Sequence, residues 1–291
     1  MFVTQYKELK KSGSFKIRNV VRNIALTSLS AKTHLFDYKV EYQKPKVQFL
    51  YFHHVFNDEI KSFDNLLKWL NKFYSFISYS EAVDRILTNR IDRAYIAFSF
   101  DDGFKNNLDA AKILKKYNAT ACFFLNPDTI GLNDIKRNKE YCAKTLHFPP
   151  VEFLNWNDVS ELLKKGHEIG SHIIGHINVA NTDINEVENN LLKSYNILSK
   201  ECGKVKHFSF PYGRFPNFNK SAFDLVFKTG YHSCASAERG CHINDREIKK
   251  NELMIRRDHI VVNWPMSHIK YFLLKGSVTC KQNNNYNPYS K

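Results

Sequence analysis

Strand-like and helix-like segments alternate along most of this chain, and this alternation limits the folds that the chain can adopt. Short apolar runs predict buried strands at 47–52, 94–100, 121–125, 208–210, 231–236 and 253–256. Between them, apolar positions at helical spacing predict helices, among them one over 58–73 and one that begins after Asp183. Strands that alternate with helices pair in parallel, and repetition of the unit favours a barrel. We therefore expect an α/β fold, a single distorted (β/α) barrel.

Composition divides the chain into three segments. Residues 1–46 are basic and poorly periodic, 47–275 carry the regular pattern, and 276–291 include an Asn-rich end. We predict an N-terminal extension, a barrel and a flexible C-terminal tail. Within the barrel, 126–151 interrupts the rhythm with several prolines, and a loop of that length is typically a lid or a binding loop.

The N-terminal extension has some apolar positions, although polar residues interrupt them. Val20, Val21, Ile24 and Leu26 allow either an amphipathic surface helix or packing on the barrel. No apolar run in the extension approaches the length of a membrane span. The extension also lacks the apolar core and cleavage context of a secretory signal.

Charge and cysteine content narrow the classes of function. The formal net charge of +14 suits nucleic acid, an anionic membrane surface or an acidic glycan. No nucleic-acid-binding signature accompanies it, so we expect no nucleic-acid partner. The six cysteines show no CxxC spacing and do not require a disulfide framework. We expect reduced thiols and a cytoplasmic protein, with peripheral contact to the inner membrane as a further option.

Two adjacent carboxylates follow the predicted strand at 94–100. Asp101 and Asp102 come where the strand gives way to a loop, and Gly103 allows a sharp exit. In α/β proteins this end of the strand is where sites are placed. Two carboxylates buried side by side repel each other, so a cation or a shared proton is expected to compensate. A helix-capping Asp pair explains the dipeptide equally well.

A pair of histidines lies four residues apart in a second motif. His172 and His176 would face the same way on one helical turn, which suits two imidazoles that share a metal. The chain has 12 histidines, so a chance pair is the alternative. One Asp with two His makes a three-ligand set with room for water, the open arrangement of a catalytic metal.

Together these residues resemble the polysaccharide deacetylases of the NodB-homology type, carbohydrate esterase family four. The first family motif, (T/S)FDDG, is matched by Ser99 to Gly103. The second, HxxxH in a GHEIGSH context, is matched by Gly166 to His172 with His176, and the third, an aromatic-Pro-Tyr-Gly turn, by Phe210 to Gly213. The motifs follow the family's order, and the resemblance covers about 47–260.

The resemblance implies a metal-dependent hydrolase that removes an N-acetyl or related small acyl group from an amino sugar. It implies that Asp102, His172 and His176 hold a divalent metal, with Zn²⁺ expected and Co²⁺, Ni²⁺ or Mn²⁺ as alternatives. Asp101 would then be the general base, a division that the sequence alone does not order. Tyr212 would offer its backbone N–H to the oxyanion that forms on the former carbonyl oxygen.

One departure from the family pattern concerns the base. Many members carry an Arg three residues before the motif tyrosine, where this chain has Ser209. A subgroup with a FAYPYG-like turn shares that change, so it does not argue against activity. The partner of Asp101 is left open, with Arg256 or Arg257 near the end of a late strand as candidates.

A second departure concerns the general acid, because the family's last motif, an apolar run ending in His, is not clear here. His259 is the nearest candidate and His268 a poorer one. His53 matches the Tyr-His pattern at the end of the family's first strand and is an alternative proton donor or substrate contact.

The expected substrate is an acylated amino sugar that is lipid- or nucleotide-linked, in surface polysaccharide or lipopolysaccharide biosynthesis. A hydrolase of a non-sugar amide or imide on the same fold is one alternative. An inactive glycan-binding relative is another, and metal content would separate it from the enzymes.

Overall fold

The computed structural model describes residues 1–9, 26–27, 39–244, 247–283 and 287–289. Their strands form a curled sheet. The strands are β1 (Lys46–Phe52), β2 (Ser75–Phe76), β3 (Ala94–Phe100), β4 (Ala121–Leu125), β5 (Glu168–Ser171), β6 (His207–Ser209), β7 (Ser233–Ala235), β8 (Cys241–His242), β9 (Met254–Ile255) and β10 (Arg257–His259).

The sheet runs in the order β10-β1-β3-β4-β5-β6-β7-β9, with β2 added beside β3 and β8 beside β1. The pairings are parallel apart from β8, which is antiparallel to β1. The carboxyl ends of the parallel strands therefore open on one rim. This curled sheet with its outer helices is the distorted barrel that the sequence predicted.

Helices surround the sheet. They are α1 (Tyr6–Leu9), α2 (Lys39–Gln43), α3 (Ile60–Leu70), α4 (Tyr79–Leu87), α5 (Asn107–Lys116), α6 (Ile135–Tyr141), α7 (Trp156–Lys164), α8 (Ile184–Cys202), α9 (Lys220–Thr229) and α10 (Met266–Asn283). Helix α10 runs across the predicted tail boundary at 276, and Tyr289 donates a hydrogen bond from its hydroxyl to the Phe215 carbonyl. The division into three segments stays a prediction. Most of the extension, with Val20, Val21 and Ile24, lies outside the described residues.

Local sequence signals place most of these elements. Strands β3 and β4 have the predicted bounds, and Asp183 caps α8 by accepting from the amide of Asn185. The segment 126–151 is wrongly predicted as one loop, because Asp134 caps α6 and a π-helical turn at Cys142–Leu146 follows. Strands β8 and β10 are too short to show in the sequence pattern.

Strand alternation sorts side chains between the barrel interior and the outer helices. In β3, Tyr95 and Ala97 belong to the interior cluster, whereas Ile96 and Phe98 pack with the helices. Every residue of β3 is buried because both faces of the sheet are covered. In β5, Gly170 is needed where the chain passes Phe124, since a Cβ there would lie 2.4 Å from Phe124 Cδ1.

The prediction that the cysteines are reduced thiols is only partly correct. Cys122, Cys142, Cys202 and Cys234 are free, whereas Cys241 is disulfide-bonded, so the prediction of reduced thiols is wrong for that residue. No helix among the described residues is both long and apolar enough to cross a bilayer.

A polar cluster of Ser80, Glu168 and His207 leads to a prediction about the stability of the fold. Glu168 accepts from the Ser80 amide at 3.0 Å and lies 3.4 Å from His207 Nε2. Burial alone would raise the pKa of Glu168, but the hydrogen bonds from His207 and Ser80 outweigh it and lower the pKa to about 2. The depressed pKa stabilises the folded protein above the ordinary Glu pKa of about 4.3. That stabilisation is lost as pH falls toward 2.

Glu168→Gln should therefore lower the free energy of unfolding at neutral pH by on the order of 2 kcal/mol. It should also flatten the fall in stability between about pH 5 and pH 3, measured by urea unfolding. Glu161→Gln, at an exposed ion pair with Lys165, is the matched control. An unchanged acid limb in Glu168→Gln would contradict the assignment.

Candidate active site

The two carboxylates of the first motif leave β3 in different directions. Asp101 donates its amide to the Phe52 carbonyl at 2.9 Å, which continues the pairing of β1 with β3. Asp102 then takes a left-handed conformation with φ of 71°, and Gly103 follows with φ of 69°. As a result Asp101 meets Arg257, whereas Asp102 faces the motif histidines.

Arg257 is the partner of Asp101, which confirms one of the two predicted candidates. Its Nη1 and Nη2 donate to the two carboxylate oxygens of Asp101, both at 2.8 Å. Nη2 also donates to Ser209 Oγ at 2.7 Å, and Nε donates to the Ser236 carbonyl at 2.9 Å. The guanidinium from β10 thus lies beside Ser209 of β6.

The two adjacent carboxyl groups have very different pKa values. Burial would raise the pKa of Asp101, but Arg257 outweighs it and holds the pKa below its usual value. Burial, together with the charge of Asp101, raises the pKa of Asp102 to about 8. Asp101 is therefore ionised at neutral pH, whereas Asp102 needs a proton or a cation to compensate its charge.

Hydrogen bonds orient the first histidine. The His172 amide donates to the Leu125 carbonyl at 2.8 Å, and its Nδ1 donates to the Ser209 carbonyl at 2.8 Å. Donation from Nδ1 leaves the lone pair on Nε2, which lies 3.5 Å from Asp102 Oδ1. The ring is thus in the tautomer that a metal ligand requires.

An irregular turn, and not a helical turn as predicted from the i, i+4 spacing, brings the second histidine to the same carboxylate. Ile173, Gly175 and His176 have φ values of 55°, 76° and 47°. Asp128 accepts from the Gly175 amide at 2.9 Å and so ties this turn to the loop after β4. His176 Nε2 lies 3.5 Å from Asp102 Oδ1.

These three side chains fit a divalent metal. Ligand atoms of Asp102, His172 and His176 all lie within 4.8 Å of one another, and the three residues are buried. Asp102 Oδ1 is buried without a hydrogen-bond partner among the described residues, as expected of an oxygen reserved for a cation. One carboxylate and two imidazoles match the donor set of catalytic zinc sites.

The Pro-Tyr-Gly turn follows β6 and borders the same space. Tyr212 has φ of 63°, and its ring centroid lies 5.1 Å from that of His176. Gly213 is needed because a Cβ there would lie 2.3 Å from the Cβ of Ala237. The turn therefore lies beside His176, and Tyr212 and Gly213 line the same cavity.

The two acid candidates contact each other. His53 Nδ1 and His259 Nε2 are 3.2 Å apart, so one ring donates to the other, and His53 Nε2 lies 4.0 Å from Asp102 Oδ2. Burial lowers the pKa of His53 to about 4 and that of His259 well below its usual value. Burial outweighs the charge of Asp101, which by itself would raise both pKa values. His268 lies in α10 and pairs with Thr27 instead.

A cavity of about 400 Å³ joins these groups. One side of it, where Tyr6 and Leu9 of α1 meet Leu146 and Phe148, was not predicted from the sequence. The N-terminal pair lies in a segment without periodicity, and the other pair in a segment predicted as a loop. No sequence signal connected them with the motifs.

The fold and the site define an α/β barrel with an Asp pair and a His pair on the carboxyl rim of its parallel strands. The polysaccharide deacetylase family matches residues 88–234, half of the chain, and the chain belongs to this family.

Two curated relatives are both peptidoglycan-N-acetylglucosamine deacetylases of Bacillus cereus. One is 28% identical over 140 residues, covering 47% of this chain and 54% of the relative. The other is 30% identical over 122 residues, covering 41% of this chain and 36% of the relative. The chain thus spans about half or less of the length of these relatives.

Solved structures share the fold. The Streptococcus pyogenes deacetylase PplD, in complex with acetate, is 17% identical with a TM-score of 0.63, over 79% of this chain and 99% of that one. IcaB from Ammonifex degensii is 17% identical with a TM-score of 0.64, over 80% and 97%. A de-N-acetylase from Aggregatibacter actinomycetemcomitans is 20% identical with a TM-score of 0.62, over 78% and 99%.

Proposed function

We propose that the protein is a metal-dependent hydrolase that removes an N-acetyl or related small acyl group from an amino sugar. The observation that carries this proposal is the cluster of Asp102, His172 and His176 beside an Asp101 that Arg257 holds ionised. The family and the names of its relatives support the substrate class. The barrel would form the catalytic domain, with the extension and tail attached to it.

The residues have separate tasks in amide hydrolysis. Asp102, His172 and His176 would hold a divalent ion, with Zn²⁺ expected. When bound, the ion polarises the acyl carbonyl and makes water more acidic. Asp101 accepts a proton from the attacking water, since Arg257 keeps it ionised.

The remaining steps fall to the turn after β6 and to the histidine pair. The Tyr212 backbone N–H donates to the oxyanion that forms as water attacks the carbonyl carbon. When the C–N bond breaks, the amine leaves with a proton, and acetate remains. His53 and His259 border the cavity and form the path for that proton.

The direct test is acetate release from metal-loaded protein incubated with lipid-linked and nucleotide-linked acetamido sugars. Activity that disappears on chelation and returns with Zn²⁺ would support the proposal. Turnover of a non-sugar amide alone would favour the first alternative. Absence of bound metal together with binding of a glycan would favour an inactive relative.

A surface-polysaccharide or lipopolysaccharide pathway is the proposed setting, with the +14 charge suited to peripheral contact with an anionic membrane. The cytoplasmic location is also a proposal. The disulfide at Cys241 argues against it, because disulfides persist chiefly in oxidising compartments.

His172→Ala should lower metal occupancy sharply, because a three-ligand site has little redundancy. The measurement is metal content per chain after gel filtration, starting from about one ion in the parent protein. His232→Ala, which changes a histidine outside the cluster, is the matched control. Unchanged occupancy in His172→Ala would refute the ligand assignment.

The proton donor is tested by His53→Ala, His259→Ala and the double variant. We expect one single variant to lose most activity with metal bound and fold intact. His259 is the favoured donor on family grounds. Wild-type turnover by all three variants would leave a metal-bound water or a residue of 126–151 as the donor.

A further inference from the structure

The first nine residues of the chain form part of the wall of the catalytic cavity. The amides of Tyr6 and Lys7 donate to the two carboxylate oxygens of Asp58, at 2.7 and 3.2 Å. The Val3 amide donates to the Pro150 carbonyl, and Thr4 accepts from the Asn57 amide. The segment is thus attached to the barrel on two sides, and Tyr6 and Leu9 line the cavity.

A second segment completes this side of the cavity. Leu146 and Phe148 follow α6, and Phe148 stacks on His54 with ring centroids 5.7 Å apart. Tyr6 lies 6.0 Å from the same His54 ring, so both aromatic side chains are placed by one imidazole. We call Tyr6, Leu9, Leu146 and Phe148 the apolar wall.

Charge in the described part of the cavity lining lies at the metal cluster and beside it. The charged side chains among its described lining residues are Asp101, Asp102 and Arg257. Arg257 is already bound through both terminal nitrogens to Asp101. The described lining therefore offers no cation for a phosphate group, and a phosphate would be repelled by the carboxylates. The described part of the lining therefore favours an uncharged group beside the apolar wall over a phosphate.

We propose that the apolar wall determines specificity and takes an apolar aglycone, an alkyl or acyl chain attached to the amino sugar. Two aliphatic and two aromatic side chains provide a surface where such a chain leaves water, which favours binding in proportion to the area buried. The inference rests on the proposed function, since it assumes that the acylated sugar lies at the metal end.

Equilibrium binding tests this without turnover. Titration calorimetry of metal-loaded protein would use the methyl and octyl glycosides of N-acetyl-β-glucosamine below the micellar range. We expect the octyl glycoside to bind at least about tenfold more tightly than the methyl glycoside. Tyr6→Ala and Leu9→Ala should each reduce this ratio several-fold, whereas Leu192→Ala, at an exposed leucine of α8, should leave it unchanged.

Two further probes distinguish the apolar wall from a non-specific apolar surface and from a second sugar site. Octyl β-glucoside, which lacks the acetamido group, should bind more weakly than the octyl acetamido sugar. Binding as tight as that of the acetamido sugar would show a non-specific apolar contact and overturn the proposal. Tighter binding of N,N′-diacetylchitobiose than of the octyl glycoside would overturn it too, because the wall would then serve a second sugar. Phe148→Ala provides a second site for the test if Tyr6→Ala fails to fold.

The failure of this inference can be told from the failure of the proposed function. Suppose that acetate is released from the methyl and octyl glycosides with equal kcat/KM and that both bind with equal affinity. This result would refute the role of the apolar wall and still support the deacetylase activity. The opposite result would be tighter binding of the octyl glycoside that depends on Tyr6 and Leu9, with no acetate released from any probe. It would refute the deacetylase activity and still support the role of the apolar wall.

Discussion

Asp101→Asn is expected to lower turnover about 10²–10⁴-fold, the range usual for loss of a general base, while the protein keeps its metal. Asp101 is held ionised by Arg257 and borders the cavity, whereas the metal cluster uses the neighbouring carboxylate. An asparagine amide keeps the size of the side chain but cannot accept the proton of water. The measurement is the rate of acetate release per folded, metal-loaded chain.

Asp102→Asn is the matched variant, because it makes the same change one residue along. Its expected effect is on metal content, since Asp102 supplies the carboxylate of the cluster. Turnover should recover in part when excess Zn²⁺ is supplied. If Asp101→Asn loses metal and Asp102→Asn retains it, the roles implied by the family motif are reversed in this chain.

The sequence alone predicted the structural elements whose signals lie within a few neighbouring residues. Strand β4 is an uninterrupted apolar run and β3 is interrupted by Ser99 alone, and the ends of both were placed to the residue. Asp102, His172 and His176 were named as a set because a family motif specifies them, and the strand order brings the ends of β3 and β5 together across β4. The helical turn proposed for the histidines was wrong, since Ile173, Gly175 and His176 all have positive φ.

Contacts between residues that are far apart in the sequence were harder to predict from it. Arg257 reaches Asp101 across 156 positions, and only the pairing of β10 with β1 brings it into the interior. Arg256 and Arg257 were equal candidates for the partner of Asp101. A strand of three residues is too short to show the alternation of inward and outward side chains that would distinguish them. Tyr6 also lies far from the motifs, in a segment whose placement depends on Asp58 and not on its own pattern.

Arg257 also bears on stability. Its side chain is fully buried, with the guanidinium 4.4 Å from the ring centroid of Tyr51 and 5.2 Å from that of Phe124. Ser99 and Ser209 are small enough to leave it room and add hydrogen-bond acceptors. The barrel interior is therefore arranged around an ion pair at its centre, where either charge alone would be costly.

Arg257→Met should lower the free energy of unfolding by about 3–5 kcal/mol, because it leaves the Asp101 carboxylate buried without its partner. Turnover should fall as well, since the pKa of Asp101 would rise once burial is no longer opposed. Urea unfolding gives the first quantity and acetate release the second. Arg90→Met, at an exposed pair with Asp84, should cost no more than about 1 kcal/mol.

The double variant Arg257→Met with Asp101→Asn separates loss of the pair from loss of packing. Removing the second charge also removes the isolated carboxylate, so the double variant should regain roughly half of the stability lost in Arg257→Met. It should remain as inactive as Asp101→Asn, because stability returns without a base. If the double variant regains no stability over Arg257→Met, the loss comes from the arginine's packing against Tyr51 and Phe124, and not from the isolated carboxylate.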